Sequence, residues 1–203
     1  MPLEGAKLCG PAYTVRMVAG TDDGAPRPKG HFVDEAEGHS GHVMVVSAPI
    51  GTKSAVWGGL MTARAQQLGL VGAVLDANVR DLSEHRQSLF PVFARGHSTL
   101  GQSPFTRPSE YQIPLTIHVR STAAHDQDED PQDPKTNPRF PNITIHPGDI
   151  VLADLDGVVI IPPSLALDVI RIAEKGKAQD ALCLKDIQNG MPVKQAFAKN
   201  RTK

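Results

Sequence analysis

The sequence predicts a mixed α/β layer fold, and three observations lead to that class. Short runs rich in β-branched and aromatic residues recur between glycines and prolines, and their lengths of four to seven residues suit strands better than helices. Apolar residues follow a helical period in only a few places. The order of strand, helix and strand around residues 59–76 is typical of a βαβ unit, in which a helix covers a sheet.

Eight strands are expected, each bounded by glycine, proline or a polar turn. They span residues 12–18, 43–47, 72–76, 90–94, 115–119, 142–146, 150–153 and 158–161. The last two are joined by Leu155-Asp156-Gly157, a short link that predicts an antiparallel hairpin.

Three helices are expected. The first, residues 59–68, has an apolar stripe and ends before Gly69, a residue type common just after a helix. The stripe consists of Leu60, Met61, Ala65 and Leu68. The second helix, residues 164–175, has a similar stripe and ends before Gly176. A last helix begins at about residue 179 and is interrupted by an Asn-Gly-Met-Pro turn.

Convergent polar residues surround the first helix. The pair Gly58-Gly59 lies at the start of that helix, where unpaired N–H groups can hold a carboxylate or a phosphate. Arg80 follows the next strand and offers a planar five-donor fork to the same kind of ligand. Asp81 offers a hard oxygen to Mg²⁺ or Mn²⁺, and Glu84 lies just beyond it. The pattern predicts an anion site that faces a metal site.

Composition limits the remaining possibilities. The 203 residues are 40% hydrophobic, enough to bury a core as one domain over residues 1–203. A formal net charge of -1 gives no basic excess for nucleic acid. No run is long enough to span a membrane, and the first residues resemble no targeting signal. Cys9 and Cys183 form no disulfide framework, so a cytoplasmic protein is expected.

Four other patterns have simpler interpretations. The acidic, proline-rich residues 125–137 predict a mobile loop distant from the chemistry. His39-x-x-His42 is a possible metal pair, but its glycine-rich surroundings provide no defined third ligand and favour a structural role. Lys53 is the one Schiff-base candidate near the glycine pair, although lysines in such places are mostly exposed. Arg64, beside the apolar stripe, predicts a buried ion pair or a subunit contact.

Four runs together resemble the RraA-like family, and within it the 4-hydroxy-4-methyl-2-oxoglutarate aldolases. The runs are WGGLMTARAQQL, GAVLDANVRDLSEHR, FPVFARG and HPGDIVLADLDGVVIIP. The resemblance covers about residues 10–198. Gly59, twenty intervening residues, Arg80-Asp81, two residues and Glu84 have the spacing of the motif in fungal-type members.

The resemblance implies a swivelling β/β/α fold, a β-sandwich with flanking helices, assembled as a homotrimer or homohexamer with sites near subunit boundaries. It implies that backbone N–H groups at one helix start hold the substrate, namely those of Gly58, Gly59, Leu60 and Met61. Arg80 matches the substrate-binding arginine, and Asp81 matches the ligand of the divalent cation, Mg²⁺ or Mn²⁺.

Two features depart from the family pattern. Many bacterial aldolases carry an aspartate where Gly59 stands, so proton transfer here is expected to involve Glu84 or a water held by the cation. Family members also normally begin with a helical segment ahead of the GPAYTV strand, which the first residues of this sequence do not supply.

The implied activity is that of a metal-dependent lyase acting on a small 2-oxo acid. Cleavage of the C3–C4 bond in a retro-aldol reaction, or loss of CO₂ from oxaloacetate, sends negative charge to the ketone oxygen as a pyruvate enolate. Arg80 and the cation would stabilise that charge where it develops. Which 2-oxo acid is the physiological substrate stays open at this point.

The alternative is RraA proper, a protein-binding regulator of ribonuclease E that needs no chemistry. Asp81 separates the two possibilities, because the regulator has a non-acidic residue after the arginine. The sequence therefore favours the enzyme, with neither nucleic acid nor membrane as a partner.

Overall fold

The larger part of the chain is built on an eight-stranded mixed sheet that is organised around its first strand, β1 (Leu8–Ala19). The structure, a computed structural model, describes residues 5–118 and 141–201. It divides into two compact units, Met1–Ile160 and Ile161–Lys203.

The remaining strands of the main sheet are β2 (Val43–Ser47), β3 (Ala55–Trp57), β4 (Gly72–Val79), β5 (Val92–His97), β6 (Thr106–Tyr111), β9 (Ile150–Ala153) and β10 (Val158–Ile161). Their order is β10-β9-β1-β2-β4-β3, with β6 also paired to β1 and β5 also paired to β4. A separate antiparallel pair consists of β7 (Leu115–Ile117) and β8 (Ile143–Ile145).

Strand β1 holds the main sheet together because it is long enough for three partners. It pairs in parallel with β2 over residues 12–16. It pairs with β9 over residues 8–11 and with β6 over residues 15–19, both antiparallel. The two antiparallel partners therefore use successive segments of β1.

Two helices connect the parallel strands beside β4. Helix α1 (Gly59–Gln67) lies between β3 and β4, and helix α2 (Leu82–Gln87) lies between β4 and β5. Both β3 and β5 pair with β4 in parallel. The predicted βαβ unit is therefore confirmed, and the carboxyl ends of β3, β4 and β5 meet at one edge of the sheet.

The core covers both faces of this sheet. Val43 and Val45 of β2 pack in one hydrophobic cluster, whereas Met44 and Val46 pack in the other. All four are at most 1% exposed. A continuous apolar run of this kind is typical of a parallel strand covered on both sides.

The second unit is helical. A 3₁₀ turn (Pro163–Leu165) leads into α3 (Ala166–Gln188), and a short turn separates α3 from α4 (Val193–Asn200). None of the helices in residues 5–118 and 141–201 has the length and apolar content needed to cross a lipid bilayer.

The structure contains a strand in each of the eight predicted regions, and it adds β3 and β6. Three residues of β3 are too few for a strand pattern, and β6 contains Pro108, which weakens its strand signal. Residues 154–157 join β9 to β10 in a link too short for a parallel crossover, as expected for the predicted hairpin. The acidic segment 125–137 lies outside the described residues.

Two predictions about helices are wrong. The second helix does not end at Gly176, because α3 continues through it to Gln188 and includes the start of the predicted last helix. A glycine inside a helix costs about 1 kcal/mol relative to alanine, which a helix of this length tolerates. Leu60 is not on the buried face of α1 but is 78% exposed, and Thr62 is buried instead.

Candidate active site

The predicted site residues come together at the carboxyl ends of β3 and β4. Gly58 follows β3 directly, and Arg80 and Asp81 follow β4. The Arg80 backbone N–H donates to the Trp57 carbonyl oxygen at 3.0 Å, which extends the pairing of the two strands to their ends. Residues far apart in sequence therefore face each other across one strand spacing.

Asp81 is the central residue of this arrangement. Its Oδ2 atom accepts a hydrogen bond from the Gly59 backbone N–H at 2.9 Å and lies 3.5 Å from Arg80 Nε. The Asp81 side chain is 34% exposed and the Arg80 side chain 47%, so a dissolved ligand can reach both. The φ angle of Asp81 is 61°, a left-handed conformation that costs on the order of 1–3 kcal/mol for a residue other than glycine.

The glycine pair leaves room for these charged side chains. A Cβ atom on Gly58 would lie 2.6 Å from Asp81 Oδ2 and 3.0 Å from Arg80 Nε. A Cβ atom on Gly59 would collide with Glu84 Oε2. The Glu84 carboxylate thus occupies the space that a side chain at position 59 would fill.

The four predicted backbone donors differ in their surroundings. The Gly59 N–H group donates to Asp81, as described above, and the Met61 N–H group donates to the Gly58 carbonyl oxygen at 3.1 Å. The Leu60 side chain points to solvent beside the glycine pair. Substrate binding by these N–H groups stays a prediction.

Sequence reasoning missed a buried chain of hydrogen bonds beneath the site. Trp57 Nε1 lies 2.8 Å from Thr62 Oγ1, and Thr62 Oγ1 lies 2.9 Å from His85 Nδ1. His85 Nε2 lies 2.7 Å from the Arg80 carbonyl oxygen. The three side chains are 1%, 2% and 5% exposed, respectively. The only signal in the sequence was a polar residue, Thr62, within the first helix.

Burial lowers the pKa of His85 below its ordinary value, because a charged imidazole loses hydration there. The Arg80 carbonyl and the carboxylates of Asp81 and Glu84 act in the opposite direction but do not outweigh burial. The neutral ring is therefore favoured, with one nitrogen as donor and the other as acceptor.

Among the described residues, none of the other candidates from the sequence forms a hydrogen bond with Arg80, Asp81 or Glu84. Lys53 is exposed, and its carbonyl oxygen accepts a hydrogen bond from Asn78 Nδ2 at 3.2 Å. The His39 and His42 rings are in edge contact, with centroids 5.1 Å apart. Residues 5–118 and 141–201 bring no three His, Cys, Asp or Glu side chains together as a metal site, so the histidine pair has no third ligand among them.

Arg64 forms an ion pair, with its Nε atom 2.6 Å from Asp34 Oδ1. The side chains are 38% and 52% exposed, so the ion pair is not buried, and the other expectation for Arg64, a subunit contact, stays a prediction. Exposed pairs of this kind contribute about 0–1 kcal/mol to stability.

Residues 1–160 match the sequence model of the RraA-like family, described as Aldolase/RraA. The chain belongs to this family. The family predicted from the sequence is thereby confirmed, and so is the RraA-like α/β fold, a mixed sheet with flanking helices.

Two named proteins are similar in sequence to this chain. The protein DlpA of Legionella pneumophila is 29% identical over 169 residues, which are 82% of this chain but only 23% of DlpA. A candidate 4-hydroxy-4-methyl-2-oxoglutarate aldolase of Halalkalibacterium halodurans is 26% identical over 194 residues, which are 96% of this chain and 78% of the relative.

Two solved structures share the fold. An uncharacterized protein from Pseudomonas syringae superimposes with a TM-score of 0.74 at 26% identity, covering 97% of this chain and 78% of its own. RraAS2 of Streptomyces coelicolor, an unusual member of the RNase ES inhibitor RraA family, superimposes with a TM-score of 0.65. That alignment covers 89% of this chain and 78% of RraAS2 at 23% identity, which supports the fold alone.

Proposed function

We propose that this RraA-like protein is a divalent-cation-dependent lyase. It releases pyruvate from 2-oxo acids of the 4-hydroxy-4-methyl-2-oxoglutarate type and also decarboxylates oxaloacetate. The observation that carries the proposal is the meeting of the Arg80 guanidinium, the Asp81 carboxylate and the start of α1 at one exposed edge of the sheet. The H. halodurans relative supports the same reaction class.

The donor set at this edge fits Mg²⁺ or Mn²⁺. Mg²⁺ is commonly held by one or two carboxylates, with waters and substrate oxygens as the other ligands. Asp81 would hold the ion here, through a carboxylate that is one-third exposed. When bound, the ion would supply Lewis acidity towards the oxygens of the 2-oxo acid. Because the described residues bring no three ligating side chains together, they provide no closed cage of the kind used for structural zinc.

Arg80 is suited to stabilise the charge that develops in the reaction. Its fork of N–H donors can bind a substrate carboxylate or the enolate oxygen. Its Nη1 atom would lie 3.4 Å from a Cβ atom on Gly101, so the guanidinium extends over the loop that follows β5.

Glu84 is the proposed proton acceptor in aldol cleavage. The C4 hydroxyl group gives its proton to Glu84, directly or through a water, and the C4 oxygen becomes the carbonyl of the second product. The electron pair of the C3–C4 bond passes to the pyruvate enolate, and a proton from protonated Glu84 or from water adds at C3 to complete pyruvate. In oxaloacetate the same bond breaks with loss of CO₂, so no proton acceptor is needed for that step.

The test is a pyruvate-release assay on both substrates, with Mg²⁺ or Mn²⁺ and with EDTA. Reactions without protein serve as controls, because free cations alone decarboxylate oxaloacetate. We expect release above that control only when the cation is present. Undiminished release in EDTA, or a lysine adduct trapped by borohydride and abolished in Lys53→Ala, would assign the site to imine chemistry instead.

The alternative, binding of ribonuclease E without chemistry, is tested on the same preparation. Structural similarity to RraAS2 is compatible with it, but fold similarity does not determine function. Such a role would need Asp81 only for its contacts with the Gly59 N–H group and Arg80, and not as a ligand of a cation. Absence of pyruvate release from both substrates, together with direct binding to ribonuclease E, would favour the regulator.

A further inference from the structure

In the buried hydrogen bonds beneath the site, each group donates to the next, from Trp57 to the Arg80 carbonyl oxygen. The indole N–H group of Trp57 can only donate, and the Arg80 carbonyl oxygen can only accept. Nε2 of His85 must therefore carry the ring proton. Nδ1 of the neutral ring then accepts the Thr62 hydroxyl proton, while the hydroxyl oxygen accepts from Trp57.

We propose that Thr62 and His85 are positioning residues, which hold the Arg80–Asp81 turn in the geometry that the candidate site needs. Neither side chain touches the substrate in this proposal. Each acts through the carbonyl oxygen of Arg80, which belongs to the peptide between the two charged residues. The expected effect on activity rests on the proposed function, whereas the expected effect on the conformation of the Arg80–Asp81 turn does not.

The turn needs such support because of its own conformation. Asp81 is left-handed and precedes α2, yet its carboxylate does not cap that helix. The carboxylate instead accepts the Gly59 N–H group across the site. A carbonyl anchored by His85 fixes the orientation of the peptide plane before Asp81, and thereby the direction in which the carboxylate points.

This chain of hydrogen bonds also connects the secondary-structure elements that meet at the site. Trp57 ends β3, Thr62 lies in α1 and His85 lies in α2. All three side chains are nearly completely buried, so water cannot replace a lost partner without rearrangement. A change at Thr62 should therefore be transmitted to Arg80 and Asp81 although it touches neither charged group.

The test compares Thr62→Val, which removes the hydroxyl group at similar volume, with Thr62→Ser, which retains it. Thr106→Val is the matched control, because Thr106 is 5% exposed and its hydroxyl lacks a hydrogen-bond partner among the described residues. We expect Thr62→Val to lower kcat/KM and Mn²⁺ affinity by about 10–100-fold, the usual range for residues that orient a site. Thr62→Ser should recover most of both, and Thr106→Val should change neither.

Two NMR measurements are independent of activity. The Gly59 amide proton should shift in Thr62→Val but not in Thr106→Val, because its bond to Asp81 is disturbed. The wild-type His85 ring should be the Nε2–H tautomer. This result tests the direction of the hydrogen bonds even if Thr62→Val does not fold. If both NMR results are found but the protein shows neither turnover nor Mn²⁺ binding, the proposed function is refuted. The role of Thr62 and His85 in positioning the turn is then retained. An Nδ1–H tautomer, or a Thr62→Val variant equal to Thr106→Val in every assay, would overturn the proposal.

Discussion

Asp81 combines a strained backbone with a charge placed at the start of a neighbouring helix. Its left-handed φ angle suits aspartate and asparagine better than most residues, so a substitution must preserve that preference if it is to report on charge alone. Asparagine does so, and its side-chain oxygen can still accept the Gly59 N–H group.

Asp81→Asn should abolish cation-dependent pyruvate release, because a neutral amide binds Mg²⁺ poorly. Arg80→Ala should lower kcat/KM by about 10²–10³-fold, the scale for one preorganised donor at a developing charge. Melting temperatures should change little, since both side chains are substantially exposed. Pyruvate release and calorimetry on the same samples measure the two effects, and full turnover by Asp81→Asn would contradict the assigned role.

Gly59→Ala is expected to impair activity without unfolding the protein. The added Cβ atom displaces Glu84, whose exposed and flexible side chain can move away. We expect a fall in kcat for aldol cleavage that exceeds the fall for oxaloacetate decarboxylation, because only the former needs a proton acceptor.

Gly176→Ala is the control for this substitution. It lies inside α3 with nothing within 4 Å of the new Cβ atom, and it should raise stability by about 0.5–1 kcal/mol with activity unchanged. Equal losses with both substrates in Gly59→Ala would show that Glu84 is not specific to proton transfer.

That the glycine pair lies near Arg80 and Asp81 could be expected from sequence, because the helix of a βαβ unit begins close to the carboxyl end of the strand that follows it. The glycine pair starts α1, and Arg80 and Asp81 follow β4. The roles of Thr62 and His85 could not be predicted in the same way. A chain of single hydrogen bonds across three elements leaves no period or spacing in the sequence.

Tyr13 joins β1 to the 3₁₀ turn at Asp34–Ala36. Its hydroxyl group donates to the Glu35 carbonyl oxygen at 2.8 Å. Burial, with smaller contributions from Glu35 and Tyr111, raises the pKa of Tyr13 to about 12. An unfolded tyrosine has a pKa of about 10, so the folded state binds more protons between these values.

Tyr13 should therefore stabilise the fold fully below about pH 10, and this stabilisation should decrease as pH rises towards about 12. Tyr13→Phe should be less stable than the wild type at neutral pH, by about 1–2 kcal/mol for the lost hydrogen bond. Its stability should depend less steeply on alkaline pH. Urea unfolding of both proteins at several alkaline pH values measures the slopes, and parallel slopes would contradict the assignment.

Helix α3 illustrates the limit of local signals in predicting elements. Glycine is a residue type that often follows a helix end, but helix formers on both sides of Gly176 favour continuation of the helix. The short strand β3 was missed for the opposite reason, since its three residues carry no pattern of their own. It is specified by pairing with the end of β4, a nonlocal interaction.

Helix α3 of the second unit exposes several large apolar side chains. Leu167, Ile170 and Ile172 of α3 are 81%, 53% and 65% exposed. Surfaces of this kind commonly mark contacts with another chain. In the predicted trimer or hexamer, that other chain would be a second copy of this protein.

Light scattering at micromolar concentration should therefore show a trimer or a hexamer. Leu167→Glu should weaken the assembly, because it places a charge within the exposed apolar surface. Lys175→Glu, a charge reversal at another exposed position of α3, should leave the assembly intact. A monomeric wild-type protein would exclude the predicted assembly.

The pairing of β1 has a consequence for biosynthesis. Leu8 pairs with Ala153, roughly 145 residues further along the chain, whereas the parallel partner β2 emerges much earlier. Ribosomes add about 5–20 residues per second, so the amino-terminal third of β1 waits on the order of ten seconds for its partner. During that interval a nascent chain exposes an unpaired strand edge to chaperones and proteases, which pulse proteolysis of arrested chains can detect.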